Sequence, residues 1–176
     1  MTPVRDSSAG RRTPHCLAAL VALAVALLGG AALAQKVGDS GLPLPRFVSL
    51  AGDSINVRSG PGRTYPIRWV YSRLGLPVRI VEEFDAWRKV EDHEGDVGWI
   101  HGSLLSRRRT VIVTAEVAQL HRTPARDARV LLRAERGVIG RLLDCDTAWC
   151  FLDVDGTRGW MERGALWGVL PEEMRN

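Results

Sequence analysis

Asn56-Val57-Arg58-Ser59-Gly60-Pro61-Gly62 is the stretch on which the fold turns. Asn56-Val57-Arg58 predicts the end of a strand. Ser-Gly-Pro-Gly predicts a sharp reversal, because glycine accepts positive φ and proline fixes its own φ near the turn value. A hairpin is expected next: Pro77 to Glu82 alternates apolar and polar positions, Asp85-Ala86 fits a two-residue turn, and Trp87 to Asp92 returns with β-favourable residues. Glu94-Gly95-Asp96 then reads as a turn and Gly98-Trp99-Ile100-His101 as a short closing strand. Upstream, Phe47-Val48-Ser49-Leu50 reads as the opening strand, and Ala51 to Ser54 turns it into Ile55-Asn56-Val57.

The ordered set N-V-R-S-G-P-G, W-R-K-V (Trp87 to Val90) and G-W-I (Gly98 to Ile100) resembles a bacterial SH3-like domain, spanning 46–106. The resemblance implies a small all-β barrel. It says much less about the ligand, because one fold hosts many functions.

The chain repeats itself about sixty residues on. Val111-Ile112-Val113 stands for Val48-Ser49-Leu50, and Gln119-Leu120-His121-Arg122-Thr123-Pro124 for Asn56-Val57-Arg58-Ser59-Gly60-Pro61. Gly137 stands for Gly75, Ala148-Trp149 for Ala86-Trp87, and Gly159-Trp160-Met161 for Gly98-Trp99-Ile100. The fold class expected is therefore all-β: two tandem small SH3-like barrels, 46–106 and a divergent 107–170, with a tail at 171–176. The second copy has Gln119, His121 and Thr123 where the first has Asn56, Arg58 and Gly60, so a ligand site in that loop would differ. In 176 residues, 18 Gly and 9 Pro among short apolar runs fit many turns. Only the N-terminus and Ala125 to Glu135 leave room for a helix.

The first 34 residues have the three parts of a secretory signal peptide: Arg5, Arg11 and Arg12, an apolar run from Leu17 to Leu28, and Ala32-Leu33-Ala34 before Gln35. The competing reading is a retained anchor, since Leu17 to Ala34 reaches the lower limit for a spanning helix. Cleavage after Ala34 is expected because small residues stand where a processing enzyme needs them. Membrane contact is then expected only through an uncleaved leader, and the protein is expected to be secreted or periplasmic. The leader holds three Arg and one Asp, so the net charge of +4 falls to +2 without it. So weak a positive charge, on an exported chain, argues against nucleic-acid binding. From 35 to 45, Gly38, Asp39, Ser40, Gly41, Pro43 and Pro45 make a breaker-rich stretch expected to be a flexible linker unable to bury a face. Ser106-Arg107-Arg108-Arg109-Thr110 reads as a short solvated connection between barrels that pack together.

Beyond the leader two cysteines remain, Cys145 and Cys150. With Thr147-Ala148 as a two-residue turn, Asp146 and Trp149 form the hydrogen-bonded pair and the cysteines face each other in the next, non-hydrogen-bonded pair. Their Cα atoms are then roughly 4.5 to 5.5 Å apart, inside the disulfide range. Export supplies the oxidising compartment. A redox or nucleophilic role fits less well, because the spacing is C-x4-C and no histidine is near in sequence.

No enzyme is read here. His93, His101 and His121 have no metal-ligand spacing with one another or with the cysteines, so neither metal nor cofactor is expected. Gly60-Pro61-Gly62 lacks the lysine-serine pair and helix of a phosphate loop. The carboxylates Glu82, Glu83, Asp85, Glu91, Asp92, Glu94 and Asp96 read as solvent-facing. A binding surface is left. Along Trp87 to Val90 the pleat sets Trp87 and Val90 on opposite faces, and likewise Trp99 and Ile100. The ligand-binding candidates are Arg58, Arg63, Tyr65, Trp69 and Trp99, since aromatics beside arginines suit a ligand with apolar bulk and carboxylates. Trp149 and Trp160 read rather as seals of the barrel ends or of the contact between copies.

The resemblance implies a cell-wall targeting or protein-binding module of an exported protein, often fused to a peptidoglycan hydrolase, and no hydrolase domain is read here. The leading expectation is a non-enzymatic module recognising a peptidoglycan stem peptide or an envelope-protein segment. A periplasmic scaffold using its tryptophans for protein contact is the second, and a cryptic cell-wall hydrolase the third.

Overall fold

A computed structural model of the protein describes Thr2 and residues 36–171. The expected signal peptide and its expected cut after Ala34 therefore lie outside the described residues, as does the expected tail beyond Pro171. The described chain is almost wholly strand and turn. Its strands are β1 (Lys36–Val37), β2 (Pro43–Leu44), β3 (Arg46–Leu50), β4 (Ile55–Arg58), β5 (Ile67–Tyr71), β6 (Pro77–Phe84), β7 (Trp87–Glu91), β8 (Val97–His101) and β9 (Leu105–Ser106). They continue as β10 (Thr110–Val113), β11 (Val117–His121), β12 (Val130–Glu135), β13 (Ile139–Cys145), β14 (Trp149–Val154), β15 (Thr157–Glu162) and β16 (Leu166–Trp167).

Two seven-stranded antiparallel sheets have the orders β5-β4-β8-β7-β6-β3-β9 and β12-β11-β15-β14-β13-β10-β16, the same path twice. The repetition extends to irregularities. A bulge between Val57 and Arg58 recurs between Leu120 and His121. A second, between Ile80 and Glu82, recurs between Leu142 and Asp144. Each bulge bends its strand and raises the local twist, which is how a short sheet curls over one core.

Alternation fills that core. Ile55 and Val57 of β4, Val78 and Ile80 of β6, Val90 of β7 and Ile100 of β8 are buried together. Each such aliphatic side chain contributes roughly 1.5–3 kcal/mol on burial. In the second barrel Leu120, Leu152, Val154 and Met161 play this part with the half-cystines. Cys145 and Cys150 pair across β13 and β14 and are disulfide-bonded. Their Cα atoms are 4.1 Å apart, closer than the expected range. Asp146 N–H donates to the Trp149 carbonyl at 2.8 Å, which is the expected closing pair of the turn.

Gly98 explains the G-W-I motif. A Cβ there would lie 2.3 Å from Val57 Cγ1, and one at Gly159 would lie 2.6 Å from the His121 carbonyl oxygen. Only glycine lets β8 pass so close over β4, and β15 over β11.

Several sequence expectations need correction. Ala125 to Glu135 holds β12, not a helix, because Val130 to Glu135 pairs with β11. Strand β5 had no counterpart in the sequence reading. The stretch 35–45, expected to be a linker, contains the β1–β2 hairpin, and Leu44 is buried in the first core. This hairpin is held by Glu83, whose side chain is fully inaccessible. The Ser40 amide and hydroxyl donate to Glu83 at 2.7 and 2.9 Å, and the Arg46 and Arg88 guanidiniums pair with the same carboxylate. Asp92 is buried as well, accepting from the Tyr71 hydroxyl and from the Glu94 and Asp96 amides. Burial and that bond to Asp92 push the Tyr71 phenol up.

The barrels pack against each other. Ile112 of β10 belongs to the first barrel's core, and Ile139 and Trp167 lie against it. Trp167 meets Phe47 edge to face at 4.7 Å. The connection between the barrels is not simply solvated. The Arg108 carbonyl accepts from the Ser49 hydroxyl at 2.8 Å, Arg109 lies over the Phe47 ring, and the Thr110 hydroxyl donates to the Gly75 carbonyl at 2.8 Å.

Candidate functional site

The pleat gives each barrel an outer face. In the first, Arg58, Trp99, Lys89 and Glu82 stand in one row across β4, β8, β7 and β6, and His101, Trp87 and Phe84 in the row beside it. Where that face meets the turn after β4 there is a cleft of about 280 Å³. Asn56, Arg58, Arg63, Trp87, His101 and Ser103 line it, with Leu104 at the end.

Local geometry fixes these groups. Arg58 Nη1 donates to the Tyr65 carbonyl at 2.7 Å, tying the arginine to the far side of its own turn. The Trp87 and His101 rings meet edge to face at 5.4 Å, and His101 Nδ1 is 2.7 Å from the Ser103 hydroxyl. No carboxylate lines the cleft, and neither Arg58 nor Arg63 takes part in an ion pair among the described residues. The cleft is therefore a concave, positively charged recess with one indole wall, suited to an anionic group next to apolar bulk.

Of the five residues singled out in the sequence, the structure brings Arg58 and Arg63 into this cleft. Tyr65 is 45% exposed and its ring lies on the turn: a Cβ on Gly60 would be 2.4 Å from it. That contact is what Gly60 provides. Trp69 turns inward instead, packing on the first core and meeting Tyr71 edge to face at 5.9 Å. Trp99 does split from Ile100 across the pleat, yet it is only 9% exposed, with the Lys89 ammonium over its ring. Little of its ring is left open beside the cleft, whose lining does not include it. The wall is Trp87, two strand positions from the Lys89 that pairs with Trp99, and His101 was not singled out at all. The pleat argument that put Trp87 outside the core was the signal that could have found it.

The second barrel has a cleft that overlaps the corresponding place, where Gln119, His121, Glu162, Gly164 and Ala165 stand for Asn56, Arg58, His101, Ser103 and Leu104. His121 takes the place of Arg58, and its Nδ1 lies 3.0 Å from the Ala128 carbonyl as Arg58 Nη1 lies on that of Tyr65. The His121 and Trp149 rings meet edge to face at 5.5 Å, so each barrel has one Trp–His pair, with the histidine moved from β8 to β11. Thr123 replaces Gly60 and Ala128 replaces Tyr65, so the ring is absent from the copy that lacks the glycine seating it. Trp160 lies against Phe151 at 5.2 Å. The ring that joins the two copies is Trp167, which the sequence reading did not name.

Comparison with known proteins agrees with the repeat. The chain resembles a curated Bacillus subtilis (strain 168) protein, YrvJ, provisionally named an N-acetylmuramoyl-L-alanine amidase, at 24% identity over 123 residues. The match covers 64% of this chain and spans about a quarter of that protein's length (24%). Among solved structures, NlpC2 of Trichomonas vaginalis aligns at 13% identity and a TM-score of 0.33, over 75% of this chain and 51% of that one. An NlpC/P60 family protein of Bacillus cereus ATCC 10987 aligns at 15% identity and a TM-score of 0.31, over 69% and 55%. Superpositions at that level carry no argument, and the assignment rests on the family model. It matches residues 51–107 and again 114–168, one match to each barrel, so the chain belongs to the bacterial SH3 domain family as a tandem pair.

Proposed function

We propose that the chain is an exported, non-enzymatic binding module of the cell envelope, and that the first barrel's cleft takes a carboxylate-bearing peptide, the peptidoglycan stem peptide first among candidates. The observation that carries this reading is the convergence of Arg58 and Arg63 on a recess walled by Trp87 and lined by no carboxylate. Two guanidiniums there supply charge-assisted hydrogen bonds, and the indole covers apolar bulk beside them. Family membership supports a recognition module, and the name of the Bacillus subtilis relative, an amidase of a wall linkage, supports the wall as the partner. An envelope-protein segment with the same chemistry would use the same groups.

Sedimentation with purified peptidoglycan tests the reading. Trp87→Ala should weaken binding by about 2 kcal/mol, roughly thirtyfold, as truncation of an aromatic anchor does. The Arg58→Ala/Arg63→Ala pair should weaken it most at low salt. Unchanged sedimentation of both variants would sink the assignment. Release of soluble fragments from muropeptides by the protein would contradict the non-enzymatic part.

A further inference from the structure

The second barrel's cleft is the larger of the two, about 400 Å³ against about 280 Å³. The cause is local. Gly164 and Ala165 stand where the first barrel has Ser103 and Leu104, after the closing strand of each copy. The buried side chains of Ala118 and Met161 form its floor. Its charge differs in kind. Arg126, the counterpart of Arg63, bonds through Nε at 2.7 Å and Nη2 at 3.3 Å to the two oxygens of Glu162, which lines the cleft at the position His101 holds in the first barrel.

We infer that this cleft is a second ligand site, specific for an α-amino acid zwitterion, a free amine and a free carboxylate on one carbon. An acid and a base 2.7 Å apart beside a recess that Gln119 and His121 also line offer complementary charges at that spacing. The pair itself is weakly held. Its side chains are 84% and 42% accessible, and an ion pair so exposed contributes little in water. A zwitterion can open it at small cost, giving Glu162 an ammonium and Arg126 a carboxylate at once. A ligand with a single charge satisfies one partner and strips the other of its counter-charge. This site stands apart from the reading of the first cleft and does not depend on it.

The test is a titration of the protein, isotopically labelled, with alanine, N-acetylalanine and alaninamide, following the backbone amides of Ala118 and Gly164 and the Met161 methyl. Alanine should shift these signals saturably, and each blocked analogue should bind about tenfold more weakly or worse, the loss of one charge-assisted contact. Arg126→Gln and Glu162→Gln should each reduce alanine to the level of the blocked analogues while the spectrum stays dispersed. Equal binding of alanine and N-acetylalanine to the unaltered protein, or no saturable shift of the cleft signals, would overturn the inference. So would alanine binding that survives both substitutions. Wall sedimentation is read separately, so failure here leaves the first cleft's assignment standing and the reverse also holds.

Discussion

Glu83 is where a single substitution should cost most. Its carboxylate is inaccessible and is shared by the Ser40 amide and hydroxyl and by two guanidiniums, Arg46 and Arg88, whose side chains are 17% and 16% accessible. Glu83→Ala leaves both cations without their partner and the β1–β2 hairpin without its anchor. Breaking a buried pair costs roughly 3–5 kcal/mol, and because both guanidiniums keep some water the low end, about 3 kcal/mol, applies. For a unit of this size that lowers Tm by about 10 °C. Glu83→Gln keeps an acceptor for Ser40 and loses the charge, so its melting point should fall between the two. Acid should erase the difference. Burial pushes the Glu83 carboxyl up, but the bonds from Ser40 and Arg46 outweigh it and hold the folded value below the ordinary range. A group lowered in this way stabilises fully above its unfolded value, about 4.3, and loses that contribution as pH falls through the folded value. Thermal melts from pH 7 to pH 3 would show a gap between parent and Glu83→Ala that is constant down to about pH 4 and closes below it. An alanine variant melting within about 3 °C of the parent at pH 7 would refute the argument.

Three further expectations follow from packing. Reducing Cys145–Cys150 should cost about 2 kcal/mol, the value for so short a closed loop, measurable as a shift in urea midpoint; an unchanged midpoint would contradict it. Gly98→Ala should destabilise by roughly 1–3 kcal/mol, because its Cβ overpacks the buried Val57 side chain, and Gly159→Ala by more, because its Cβ meets a backbone oxygen at 2.6 Å. The reverse order in paired denaturation curves would be fatal to that reasoning. Trp167→Ala should uncouple the barrels, replacing one calorimetric transition by two, and a single sharp transition in the variant would count against Trp167 as the joint.

What could be read from the sequence was what local sterics dictate. Gly60 and Gly98 announce turns and close crossings because no other residue fits where a ring or a strand passes at such range. The cysteine pairing was legible because a two-residue turn fixes which residues face each other. Glu83 was not. Alternation through the core residues Val78 and Ile80 puts Glu82, not Glu83, on the inner side, but the bulge between Ile80 and Glu82 reverses the phase and carries Glu83 inward. The bulge has no residue signature here, since neither glycine nor proline marks it. Trp99 misled for a related reason: the pleat placed it outside the core, but only the three-dimensional row shows Lys89 lying over it. The cleft itself joins residues from β4, the following turn, β7 and the segment after β8, a convergence that spacing along one strand cannot reveal.

The joint between the barrels also makes the two copies unequal. Phe47 lies on β3 and Trp167 on β16, and the residues at those places in the opposite copies are Thr110 and Ser106. The contact is thus heterologous: each barrel contributes a different side of the same design. Ile112, which fills the first core, stands in register with Ser49, which instead donates to the Arg108 carbonyl. Exchanging the two barrels would bring Thr110 and Ser106 together where Phe47 and Trp167 now meet. The pair is built by specialisation at the joint, and its two halves are no longer interchangeable.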